Sequence, residues 1–169
     1  MNTQRIRTRE GGIGCAMKIT FLCTGKTSDK HVTELMQVYM KRIGNYCSFQ
    51  VIETADVKST GPVESKKKET LQLKKEIEKA DHIVLLDETG KEMSSKKFAE
   101  FIEKKQLMRK KHLIFVIGGA HGFSDEIYKM AHEKISLSQM TFPHQLIRVL
   151  FLEQLYRAFT ILHNEPYHH

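Results

Sequence analysis

The residues best suited to chemistry crowd one stretch near the end of the chain, "MTFPHQLIRVLFLEQLYRAF", from Met140 to Phe159. His144 follows Pro143 at the start of an apolar helical run. A histidine near a helix N-terminus can act as a base or a hydrogen-bonding group close to neutral pH, although a plain surface histidine also fits. Arg148 and Arg157 ride on the same run, and Glu153 stands four residues before Arg157. That spacing is also the spacing of an ordinary helical salt bridge. A surface helix would show a wider polar face than this one does. The helix must therefore be covered on more than one side.

Two glycine-containing turns are further candidates. "IGGAHGFSDE" places Gly118, Gly119 and Gly122 after a buried strand and before a helix start. Glycines there allow a tight turn or the close approach of a ligand. A plain turn and a ligand loop both fit the spacing, which is not GxGxxG. Asp125 and Glu126 already occupy the first helical turn, where a phosphate would otherwise bind. Any ligand here is thus expected to be held without a pyrophosphate, and a cationic nucleoside suits the charge better. "TGKT" (Thr24 to Thr27) looks like the end of a phosphate loop. The full motif needs a glycine five residues before Gly25, and Thr20 stands there. A simple strand-to-helix turn is the better reading.

Strands are expected at Lys18 to Thr24, Ser48 to Thr54, His82 to Asp87, His112 to Gly119 and Lys134 to Ser138. Helical spacing runs from Val32 to Ile43, ended by Gly44 and Asn45, and recurs around Leu71 to Ala80. Ser94 or Ser95 can cap a helix carrying Phe98, Phe101 and Ile102. Asp56 to Lys68 reads as a flexible loop, and Thr89-Gly90 as a turn closing the third strand. Alternating helices and continuous apolar strands indicate an α/β fold, a mostly parallel sheet with helices on both faces. Ligands of such sheets bind outside the carboxyl ends of the strands. Leu86-Asp87, Gly118-Gly119 and Leu137 to Phe142 point to one crevice. Taken singly, Met140 and Phe142 also read as ordinary core residues.

The 169 residues suffice for one domain, with 40% hydrophobic and 28% charged residues. No apolar stretch approaches the ~20 residues of a membrane span. Residues 1–16 are basic, contain glycine and lack the apolar segment of a secretory signal. They are expected to be an extension, with residues 17–169 forming the domain. Cys15, Cys23 and Cys47 show no CxxC spacing, which indicates reduced thiols in a cytoplasm. No HxxxH or HExxH pattern occurs, so no metal is expected. The net charge of +7 suits a nucleic-acid partner. Lys66 to Lys68, Lys96-Lys97 and Arg109 to Lys111 could meet phosphates, or form solvated faces.

From Met17 onward the chain resembles the RlmH (YbeA-like) family of SPOUT-superfamily methyltransferases. "FVIGGAHG", "SLSQMTFPHQLIRVLFLEQLYRAFTI" and the terminal "PYH" carry the resemblance. It implies a C-terminal trefoil knot, a homodimer and S-adenosylmethionine as methyl donor. It implies methylation of N3 of a pseudouridine in helix 69 of 23S ribosomal RNA, within the ribosome. Cofactor positions would fall on Leu86, Gly118, Leu137, Ser138, Gln139, Met140, Thr141 and Phe142, with Gly119 and Gly122 allowing close approach. Catalytic candidates are then His144, Tyr167 and His168 as bases, and Arg148 or Arg157 as anion stabilisers, with Glu153 orienting an arginine. A related enzyme with another RNA target, or a non-catalytic ribosome-binding module on the same fold, are the competing expectations.

Overall fold

The computed structural model describes residues 5–7, 17–58 and 61–167. Five parallel strands form the sheet: β2 (Lys18–Cys23), β3 (Ser48–Glu53), β4 (His82–Glu92), β5 (His112–Ile117) and β6 (Glu133–Ser136). A short β1 (Arg5–Arg7) pairs antiparallel with β3 at one edge. The order is β1-β3-β2-β5-β4-β6. Beyond β1, the expected N-terminal extension lies outside the described residues.

The alternation of side chains along each strand builds two cores. Ile19, Phe21 and Cys23 of β2 face one layer, and Leu22 faces the other. The first layer holds α1 (Lys30–Ile43), α3 (Ser95–Leu107) and α5 (His144–Leu162). The second holds α2 (Pro62–Ile77) and α4 (Asp125–Met130). The continuous apolar runs of the strands are thus explained by burial on both faces.

Helix α5 lies between α1 and α3 and against the sheet. Phe151 meets Phe21 and Phe115 at ring-centroid distances of 4.4 and 4.8 Å. Three buried sides explain why so few polar residues occur on this helix. Leu146 of α5 and Leu35 and Val38 of α1 stay exposed in the single chain.

Two expected boundaries are corrected. The loop expected over Asp56 to Lys68 ends earlier, because α2 starts at Pro62 with Gly61 as its cap. Proline suits a first helical position, and Glu64 and Lys68 pair one turn apart. Ser59 and Thr60 lie outside the described residues. Strand β4 does not close at Thr89-Gly90. A bulge between Leu86 and Lys91 lets both pair with Ile135, and the strand continues to Glu92.

Candidate active site

The carboxyl ends of β4, β5 and β6 open onto one cleft of about 680 Å³. Leu86 lines it from β4, and Gly118, Gly119 and Gly122 line it from the loop after β5. Leu137, Ser138, Met140, Thr141 and Phe142 line it from the segment between β6 and α5. His144 stands at its edge, on the first residue of α5. Nine expected ligand-binding positions therefore meet in one place. Gln139 is turned aside, and its amide donates to Glu92 at 3.2 Å. Met140 is 75% exposed, so reading it as an ordinary core residue fails.

Local hydrogen bonds shape the loop before α5. The Ser136 hydroxyl donates to the Ser138 carbonyl at 3.0 Å, and the Ser138 hydroxyl accepts from the Met140 amide at 2.9 Å. These bonds turn the chain without regular structure. Gly122 sits at φ +66°, a conformation that side chains disfavour.

The cleft is acidic at its strand ends. Asp87, Glu88 and Asp125 all line it. Burial pushes the Asp87 carboxyl up, but hydrogen bonds from Thr89 and Tyr128 outweigh it and hold the group below its usual range. Tyr128 donates to Asp87 at 2.6 Å, and burial with that bond pushes the phenol up to about 12. Asp87 is thus a fixed anion at neutral pH. This charge, with Asp125 in the first turn of α4, favours a cationic ligand over a phosphate.

Glu69 of α2 is a residue that the sequence pattern did not single out. Its carboxylate lies behind the glycine loop, and a Cβ on Gly119 would come 2.8 Å from one of its oxygens. Burial raises its proton affinity, while Ser65 and the charges of His121 and His144 oppose this. It was hidden as one charge among many on a lysine-rich helix. Asp87 stood in a named crevice, but its anchor Tyr128 lies 41 residues away.

Arg148 is placed elsewhere, against the expectation of a substrate-facing arginine. It is 4% exposed. Its guanidinium donates to Thr27 at 2.7 Å, to Glu53 at 3.2 Å and to the Thr24 carbonyl at 2.8 Å. It ties α5 to the ends of β2 and β3. The "TGKT" turn is equally occupied. Its amides at Gly25, Lys26 and Thr27 donate to Thr54, Asp56 and Glu53. A phosphate would have to displace those acceptors, so the strand-to-helix turn is the reading that the geometry bears out.

Glu153, Arg157 and Tyr167 form a second cluster. Arg157 donates twice to one Glu153 oxygen, at 2.9 and 2.7 Å, and stacks 4.8 Å over the Tyr167 ring. Tyr167 donates to Glu153 at 3.3 Å. Burial and the Tyr39 hydroxyl push the Tyr167 phenol up to about 12, so it serves as a donor at neutral pH, not as a base. At 1.5 Å per residue, Arg157 lies about 20 Å along α5 from His144. The two clusters do not meet within one chain. His168 lies outside the described residues.

The family described as "Predicted SPOUT methyltransferase" matches residues 17–168. A ribosomal RNA large subunit methyltransferase H from Christiangramia forsetii is 48% identical over 90% of this chain and 99% of its own length. The proteins of that name from Parabacteroides distasonis and Bacteroides fragilis are each 46% identical over the same shares. Among solved structures, a probable methylase family protein from Haemophilus influenzae is similar in fold. Its TM-score is 0.57 at 10% identity, over 88% of this chain and 67% of that one. TrmJ from Z. mobilis has a TM-score of 0.50 at 11% identity, over 85% and 70% of the two chains.

Proposed function

The chain belongs to the SPOUT methyltransferases, among the ribosomal RNA large subunit methyltransferase H proteins, and on that premise we propose that it methylates N3 of a pseudouridine in helix 69 of 23S ribosomal RNA within the ribosome. The methyl donor in this reading is S-adenosylmethionine. The observation that carries the reading is the cleft itself. Three strand ends, a glycine loop and a fixed carboxylate converge where a phosphate-free cationic nucleoside would fit.

The donor, when bound, supplies an electrophilic methyl group on a cationic sulfur. Leu86, the glycine loop, Leu137, Ser138 and Met140 to Phe142 would hold its nucleoside part, with Asp87 as the anionic partner. Bringing the nucleophile into line with the methyl group supplies much of the acceleration. The N3 nitrogen would form the new bond to the methyl carbon as the carbon–sulfur bond breaks, the electron pair going to the sulfur of the departing S-adenosylhomocysteine, and the N3 proton must leave. His144, exposed at the cleft edge, would take that proton in this reading.

Negative charge on the base ring calls for a cation. Of the two arginines expected to supply it, Arg148 is committed inside the fold, which leaves Arg157, held by Glu153 and Tyr167. That cluster lies too far along α5 to serve the cleft of its own chain. A homodimer, with one protomer's cluster beside its partner's cleft, resolves the separation. Exposed Leu35, Val38 and Leu146 support such a contact. The trefoil threading of the C-terminal segment belongs to the same proposal.

The test is transfer of labelled methyl groups to ribosomes that lack the modification, with free 23S RNA in parallel. Label in ribosomes with little in free RNA is the expected result. Cofactor binding without transfer to either would indicate another RNA target, and no cofactor binding would favour a binding module.

A further inference from the structure

A second concavity, of about 630 Å³, lies beside the cofactor cleft between α2 and α4. The two share Lys66 and His121, so they form one continuous surface. Val63, Lys67 and Leu71 follow one another at intervals of four residues and mark one stripe of α2. Val63 is 86% exposed and Leu71 57% exposed, although the rest of this helix's outer surface is heavily charged. No fold contact accounts for two apolar side chains left in water there.

The charges around them are unequal. Elsewhere on α2, Lys68 pairs with Glu64, and Lys74 pairs with Glu126. Glu126, the one carboxylate lining the groove, is therefore neutralised by a lysine. Lys66 and Lys67 have no ion pair among the described residues. The groove thus joins two exposed apolar side chains to two ammonium groups that stand outside any ion pair among the described residues. Backbone phosphates with an unstacked base present the complementary pattern.

We propose that the groove between α2 and α4 seats the RNA strand next to the target nucleotide. An unstacked flanking base would lie against Val63 and Leu71, with its phosphates on Lys66 and Lys67. The inference rests on the methyltransferase reading and gives the substrate strand a direction, out of the cleft past His121 and over α2. A folded protein partner would also cover apolar residues, but it has no need of paired free lysines beside a nucleoside cleft.

The test uses the full chain and intact ribosomes that lack the modification. Lys67→Ala and Val63→Ser are suitable because both sites are on the surface of α2 and outside the cofactor cleft. Each variant should leave S-adenosylmethionine affinity unchanged by calorimetry. Each should raise KM for ribosomes by about ten-fold, a 1.4 kcal/mol effect, with kcat little changed. Lys67→Ala should also flatten the dependence of log affinity on log salt by about 0.7 to 0.9, the share of one phosphate. A photocrosslinker at position 63 should label a nucleotide adjacent to the methylated one. Unchanged KM and salt slope in both variants would overturn the proposal, as would a crosslink to a ribosomal protein alone. If the wild-type chain binds the cofactor but methylates no ribosomal RNA, the functional reading fails first and the groove's assignment falls with it.

Discussion

Asp87 and Arg148 show how two charged residues near one sheet end take different roles. Asp87 lines the cleft, and its anionic form is stabilised by Thr89 and Tyr128. Asp87→Asn should weaken S-adenosylmethionine binding by about ten-fold, measured by calorimetry, as expected for losing one charge-assisted contact. Unfolding by urea should change much less. Arg148 gives the opposite pattern. Its guanidinium is enclosed, and its removal takes from Glu53 its cationic partner and from the Thr24 carbonyl its side-chain donor. Arg148→Met should cost about 3 kcal/mol of stability, read from urea denaturation. At temperatures where the variant is folded, it should bind cofactor nearly as the wild type does. A variant of full stability with lost turnover would return Arg148 to the substrate. Sequence could not separate these roles, because the partner Glu53 is 95 residues away from Arg148. An arginine on an apolar helix reads as functional until its acceptors are visible.

The elements were legible wherever one physical requirement dominated. The five parallel strands are continuous apolar runs because both their faces are buried, and α5 is apolar because two helices and the sheet enclose it. The crevice at the strand ends followed from that order alone. What stayed hidden depended on pairing between distant segments. The polar end of β4 looks like a turn, yet β6 holds it through a bulge. The start of α2 looks like a flexible lysine-rich loop, and Glu69 within it looks like any surface charge. Two histidines at the opposite strand ends set a pH dependence. His112 bridges Thr20 at 2.8 Å and the Lys79 carbonyl at 2.9 Å, and His82 bonds Glu133 at 2.8 Å. Burial lowers the proton affinity of both below the ordinary value of 6.5. The unfolded chain therefore binds more protons just below that pH. Stability should be full above 6.5 and fall as the pH drops below it, with a further loss once the pH falls below the ordinary carboxylate range and Glu133 and Asp87, both held down by their partners, protonate. Urea midpoints measured from pH 8 to pH 5 check this, and the double variant His82→Gln, His112→Gln should flatten the first step.

At the scale of the whole molecule, the central difficulty is that the cleft and the Glu153–Arg157–Tyr167 cluster sit far apart on α5. In the proposed symmetric dimer, each cluster would stand against the other chain's cleft. Dimers of His144→Ala and of Arg157→Ala should each be nearly inactive. Mixing them with subunit exchange should restore about a quarter of wild-type activity, since half the dimers are mixed and each mixed dimer has one intact site. No recovery would mean that each chain completes its own site. Such complementation reports on assembly, whereas the reaction itself is tested most directly by locating the product. Ribosomes lacking the modification, incubated with the protein and S-adenosylmethionine, should yield one methylated nucleotide by mass spectrometry of the digested RNA. It should be an N3-methylated pseudouridine in helix 69 of 23S RNA. A methyl group on any other nucleotide, or on none while the cofactor binds, would contradict the account.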